Sequence, residues 1–308
     1  MSLSKTEAST LPVGRESHMD VSNTVDVCDP QAVLAAVRAI LDARYPGFDF
    51  SPVNVLVQDF SRLYCGEFPG YRACDTAYHD MQHVLDVTLA MARLVDGYES
   101  GSEPGDALGP DLALAGIAAA LFHDAGYIRR SDDNSASNGA AYTRIHVSRS
   151  VGFMSDYLPS VGLASILPVC KRIVHFTGYE QDPGSIDVQS SAEYTLGSLL
   201  GSADLLAQLA DVNYLEKCRE RLYGEFVQAG LAGDGALEGY RDIVYSSPQH
   251  LLATTPSFIS TVFEERLEGA FNGVHRHVAA FFDGGNLYLD AIDRNRRALE
   301  HLLASTGD

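Results

Sequence analysis

An all-α fold, a single helical bundle, is what this sequence predicts, and three observations predict it. Apolar residues recur at helical spacing along most of the chain. Period-two strand patterns flanked by hairpin turns do not occur. The breaks between periodic stretches, such as "GSEPGDALGP", "RRSDDNSASNG" and "GYEQDPGSID", are rich in Gly, Pro and Asp.

Taken in order, residues 1–27 are polar and aperiodic and read as a flexible N-terminal tail. Order is expected from "CDPQAVLAAVRAILDARYPG". There Asp29 suits the N-cap and Pro30 the first helical position; Val33, Leu34, Val37, Ile40 and Leu41 repeat until Pro46–Gly47 stops the helix. Further helices are expected near 53–66, 78–97, 111–124, 139–157, 163–177, 191–209, 211–230, 257–283 and 285–304. No strong domain boundary falls within 28–308. The C-terminal helices, 257–304, either cap the core or form the face of a homodimer.

Size and charge bound the function. A chain of 308 residues buries roughly 75% of its unfolded surface, so its core needs no disulfide or metal staple. Acidic residues outnumber basic ones by 41 to 22, and the formal charge is −19. That field repels nucleic-acid polymers and anionic membranes, and no basic stripe overrules it. The five cysteines are scattered and form no CxxC pair, which reads as reduced thiols in a cytoplasmic protein. No apolar run approaches the ~20 residues needed to span a bilayer.

The chemistry lies in histidines and aspartates. In "TAYHDMQHVLDV", His79, His83 and Asp86 stand at i, i+4 and i+7, one helical stripe, and an i/i+4 histidine pair can present two imidazoles to one target. In "DLALAGIAAALFHDAGY", an apolar helix delivers His123 and Asp124 at its C-terminal end. A carboxylate is disfavoured there by the helix dipole, and if buried it needs a partner. Further on, His146, His175 and Asp204 each sit among apolar residues of separate helices, and Asp204 has no Lys or Arg near it in sequence. Ligands contributed one or two per helix are how metal sites are built in bundles.

The ordered series His83, His123–Asp124, His146, His175, Asp204 resembles the HD-domain superfamily of metal-dependent phosphohydrolases in its dinuclear form, over roughly 70–225. "YHDMQHVLDV" also resembles a segment of the cyclic nucleotide phosphodiesterases of that superfamily. The resemblance implies two divalent metal ions (Fe, Mn, Zn or Mg). His83, His123, Asp124 and Asp204 would hold one, His146 and His175 the other, and Asp124 would bridge them. It implies hydrolysis of a small phosphate mono- or diester, such as a nucleotide, by a hydroxide between the ions. His79 occupies the place of a general acid, though spacing fits a supporting or surface role equally well. Lys171, Arg149 and Tyr127 are the residues expected to touch substrate, with Lys171 also a catalytic candidate; Arg129 and Arg130 are further phosphate contacts. The chain departs from the phosphodiesterases by carrying Tyr127 where they keep a histidine, and by lacking their glutamine clamp. A mixed-valent di-iron oxygenase cleaving a C–C or C–P bond shares this ligand set; a non-catalytic binding module is a third reading, against which the complete ligand set argues.

Overall fold

The computed structural model describes residues 14–103, 105–233 and 245–306. Among them the protein is all-helical, and extended backbone is confined to three isolated bridges, Met19–Asp26, Tyr71–Arg130 and Ala232–Tyr245. The helices are α1 (Pro30–Arg44), α2 (Pro52–Tyr64), α3 (Met81–Gly101), α4 (Pro110–Phe122), α5 (His146–Ser160), α6 (Leu167–Ile173), α7 (Ser191–Ala210), α8 (Tyr214–Lys217), α9 (Tyr223–Gln228), α10 (Pro248–Thr261), α11 (Val278–Phe281) and α12 (Leu287–Thr306). None is long and apolar enough to cross a membrane.

Their starts follow from local chemistry. Asp29 accepts from the Gln31 N–H with Pro30 at the first turn of α1, and proline likewise opens α2, α4 and α10. Asp80 caps α3 by accepting from the His83 N–H at 3.0 Å, so the cap that starts this helix also fixes the backbone of a candidate ligand.

Burial then orders the elements. α3 forms the centre and packs against α1, α4, α7 and α11, while α12 lies on α7. Leu85, Leu89 and Met91 of α3 are fully buried, each contributing roughly 1.5–3 kcal/mol of transfer free energy. In α4 every residue from Ala113 to Phe122 is buried, which its small side chains permit by letting neighbours approach on all sides. At Gly116 an added Cβ would stand 2.5 Å from the Met91 terminal methyl and 3.0 Å from Leu196, so a side chain there would spread the α3–α4–α7 contact.

Several boundaries differ from the sequence expectation. Residues 14–27 are not a free tail: Val21 and Val27 are buried, and Asp20 pairs with the buried Arg93 of α3 at 2.6 Å. A strap of this kind has no periodicity to reveal it, because its anchors are two valines, an ion pair and isolated hydrogen bonds such as that from Gln82 to the Ser17 carbonyl. His79 precedes the cap of α3, so the expected helical stripe begins only at His83. The expected helix at 139–157 is a 3₁₀ turn (Gly139–Tyr142) followed by α5, and that at 163–177 is α6 followed by a 3₁₀ turn (Val174–Phe176).

The stretch expected as one helix over 211–230 widens into a π turn, Cys218–Leu222, between α8 and α9. The stretch expected at 257–283 starts nine residues earlier, at Pro248, where Ser247 accepts from the His250 N–H. It continues as a π segment (Val262–Ala270) and breaks at Asn272–Gly273, both in left-handed conformation. His275 is buried in the following 3₁₀ turn.

Candidate metal centre

Three helices meet at one point of the core. α3 brings His83, the C-terminal end of α4 brings His123 and Asp124, and the middle of α7 brings Asp204. The His123 Nε2 lies 3.3 Å from the Asp124 Oδ2, the His83 Nε2 3.3 Å from the Asp204 Oδ1 and 3.6 Å from the Asp124 Oδ2, and the His123 Nε2 3.9 Å from the Asp204 Oδ1. Nitrogen and oxygen donors about 2.0–2.2 Å from a common ion stand about 3.0–3.6 Å apart, so this spacing is that of ligands around a cation. His83, His123 and Asp124 together form a group able to hold a metal ion.

Two further observations test that fit. The His123 Nε2 and the Asp124 Oδ2 are buried with no hydrogen-bond partner, the signature of atoms whose partner is an ion. The His123 ring is also preset, because its Nδ1 lies 2.8 Å from the Ala120 carbonyl. A carbonyl can only accept, so Nδ1 carries the proton and Nε2 offers its lone pair to the site. His146 repeats the device, with its Nδ1 2.7 Å from the Thr143 carbonyl and its Nε2 3.6 Å from the Asp124 Oδ1. Asp124 thus meets imidazoles on both oxygens.

Electrostatics points the same way. Burial opposes a charge on His123, yet the Asp124 carboxylate, with Asp204 behind it, lifts its pKa to about 9. Burial opposes the Asp124 charge too, but the His123 imidazolium and the nearby His79 and His146 hold it well below the usual carboxylate range. Two buried carboxylates here demand positive charge, and a proton on His123 supplies it where a metal ion would otherwise do so.

The turn after the pair is fixed by packing. Ser150 of α5 donates to the His123 carbonyl and accepts from the Gly126 N–H at 2.8 Å. A Cβ at Gly126 would overlap the His146 carbonyl, so only glycine lets the start of α5 approach closely enough to set His146 against Asp124.

Beside the donors stands a second constellation. His79 stacks on Tyr127 at 4.4 Å between ring centroids, and Tyr127 stacks on His146 at 4.5 Å. Glu225 of α9, itself buried, places its Oε2 2.6 Å from the His79 Nδ1 and accepts from the Tyr78 N–H at 2.5 Å through Oε1. Burial works against a charge on His79, but Glu225 outweighs it and raises the pKa to about 9. Sequence gave no signal for Glu225, which lies 146 residues from its partner and follows an irregular turn.

These side chains line one end of a cavity of about 650 Å³. His79, His83, Asp124, Tyr127, His146 and Asp204 reach it; Arg149, Lys171 and His175 are not among its lining residues. Arg149 is spent on structure: its Nε donates to the Gly126 carbonyl at 2.6 Å and its guanidinium lies over Tyr142. Lys171 is exposed on α6. His175 sits in the 3₁₀ turn after α6, where burial lowers its pKa against a weak pull from Glu180, and its Nδ1 is buried without a partner. The structure therefore gathers five of the six expected ligands and leaves His175 out of their contacts. Arg129 is also structural, forked onto Asp75 and the Ala136 carbonyl. Among the described lining residues Arg144 is a further cationic side chain, which sequence reasoning passed over. Comparisons of the chain with family models, with curated proteins and with solved structures give no match.

Proposed function

We propose that this protein is an HD-type metal-dependent hydrolase of a small phosphate ester. The observation that carries the reading is the convergence of His83, His123, Asp124 and Asp204 with two orphaned buried donor atoms, opening into a cavity large enough for a substrate. A divalent ion held by these four residues would polarise a phosphoryl oxygen and lower the pKa of water. The Asp124–His146 pair offers a narrower place for a second ion, which would lack the nitrogen that His175 was expected to add. Glu225 fixes the His79 ring through Nδ1 at the cavity wall, so His79 is the general acid for the leaving oxygen and Glu225 a positioning residue. Tyr127 stacks between His79 and His146 and keeps the acid at a constant distance from the ligands. The unpaired thiols, including exposed Cys28 and Cys65, are consistent with a cytoplasmic setting.

The test is phosphate release from aryl and alkyl phosphates by protein loaded in turn with Mn²⁺, Mg²⁺, Zn²⁺ or Fe²⁺. Turnover is expected with at least one ion, lost on chelation and in Asp124→Ala. Substrate-dependent O₂ uptake without phosphate release would replace this reading with the di-iron oxygenase.

A further inference from the structure

The cavity wall is of two kinds. Besides the histidines and aspartates it is lined by Leu205, Leu222, Phe226, Tyr245, Leu251 and Phe258. Two helical stretches supply most of that wall. Cys218, Leu222 and Phe226 follow one another at intervals of four through the π turn into α9, and Leu251, Thr254, Thr255 and Phe258 form the facing stripe of α10. The hydroxyls on that stripe are turned inward on their own helix, Thr254 and Thr255 both donating to the Leu251 carbonyl. Phe226 and Tyr245 are stacked at 5.5 Å and 11°, presenting a flat aromatic surface. Asp124, Asp204 and Glu180 line this cavity, with Arg144 and the protonated His79 as cations among the described residues. Glu180 is itself engaged, accepting from the Val147 and Ser148 N–H groups at the start of α5.

Resting on the hydrolase reading above, we infer that the substrate is a phosphate ester of a hydrophobic alcohol, an aryl or long alkyl group that fills the apolar end while its phosphoryl group faces the histidines and aspartates. A nucleoside di- or triphosphate would meet few cations for the phosphates beyond the one at the metal end. Its base would meet threonines already committed to their own helix. A single phosphoryl group needs only the metal end, and about 650 Å³ lies within the roughly 300–1,000 Å³ that encloses small-molecule ligands. In the reaction, the water oxygen bonds to phosphorus as the phosphorus–oxygen ester bond breaks. The leaving oxygen takes the His79 proton to give the free alcohol, and a proton from the attacking water passes to the phosphate or solvent.

The test is calorimetric titration of Mn²⁺-loaded protein with methyl-, butyl- and octylphosphonate below their micellar concentrations, with AMP alongside. Affinity should rise about three- to fourfold per methylene until the apolar end is filled. The slope should flatten in Phe258→Asn and in Leu222→Gln, each checked for an unchanged melting profile; the two variants stand in for one another if one fails to fold. A flat series in the wild type, or AMP binding more than tenfold tighter than octylphosphonate, would overturn the inference. Turnover of the matching alkyl phosphates separates the two proposals. A rising affinity series with no hydrolysis keeps the apolar ligand class and rejects the hydrolase, whereas hydrolysis with a flat series does the reverse.

Discussion

Asp86, one turn beyond His83 on α3, carries a cost that only the residue scale explains. Its Oδ1 is buried without a partner, and burial, with repulsion from Asp20 and Asp211, pushes its pKa up to about 7. An unfolded aspartate titrates near 3.9, so the folded chain holds the extra proton between about pH 4 and 7. Its contribution to stability is therefore present below pH 4 and is lost as pH rises through 7. Asp86→Asn should raise the melting temperature of metal-free protein at pH 8 and change it little at pH 4, measured by thermal unfolding in chelator. Equal shifts at both values would contradict the assignment. Glu225 gives the opposite case, a carboxylate whose worth lies in its partner. Glu225→Gln removes the charge that raises His79, so the alkaline limb of the pH–rate profile should move to lower pH. The loss should fall on kcat, by about 10- to 100-fold, with KM nearly unchanged, as for removal of other groups that orient a reacting side chain.

At the scale of elements, the close approach of α5 to the turn after Asp124 is the joint on which His146 depends. Gly126→Ala should push α5 outward, cost about 1–3 kcal/mol in chemical denaturation and weaken metal binding. Wild-type affinity in that variant would show that His146 does not need this contact. Elements were legible in the sequence where one local signal decides them. Pro30, Pro52 and Pro110 mark helix starts, and the small-residue run of α4 marks a helix buried on every side. Where two signals compete the sequence misled: His79 and His83 have i/i+4 spacing, but the Asp80 cap lies between them. The Ser247–Pro248 start of α10 carried a capping signal that the apolar pattern beginning later obscured. His83, His123, Asp124, His146 and Asp204 were legible because acids and imidazoles in apolar helices need a reason to be there. Glu225, Arg144 and the separation of His175 were not, because they depend on how irregular turns orient side chains between distant segments.

For the whole molecule, an ion bound by the folded chain and not by the unfolded one must stabilise it. Added metal should raise the melting temperature, by an amount equivalent to roughly 2.7 kcal/mol at a hundredfold excess over Kd. The shift should vanish in Asp204→Ala, read by scanning calorimetry. Because the imidazoles must shed protons to bind, affinity should fall as pH drops, by roughly tenfold per unit for each proton displaced. A pH-independent affinity would place the ion on carboxylates alone. The strap of residues 14–27 belongs to this scale as well, since its Asp20–Arg93 pair ties the first described segment to the helix that carries His83.

The π turn at Cys218–Leu222 sets the count of residues between Lys217, held by Asp211 and Gln82, and Glu225 beneath His79. Those two anchorages fix both ends of a short coil, and the wide turn absorbs the residue that a regular helix would have no room for. Were the same residues wound as an ordinary helix instead, every position after Leu222 would swing by about 100°. Glu225 would then turn away from His79 and Phe226 from the cavity, so the acid's support and the apolar wall share one register.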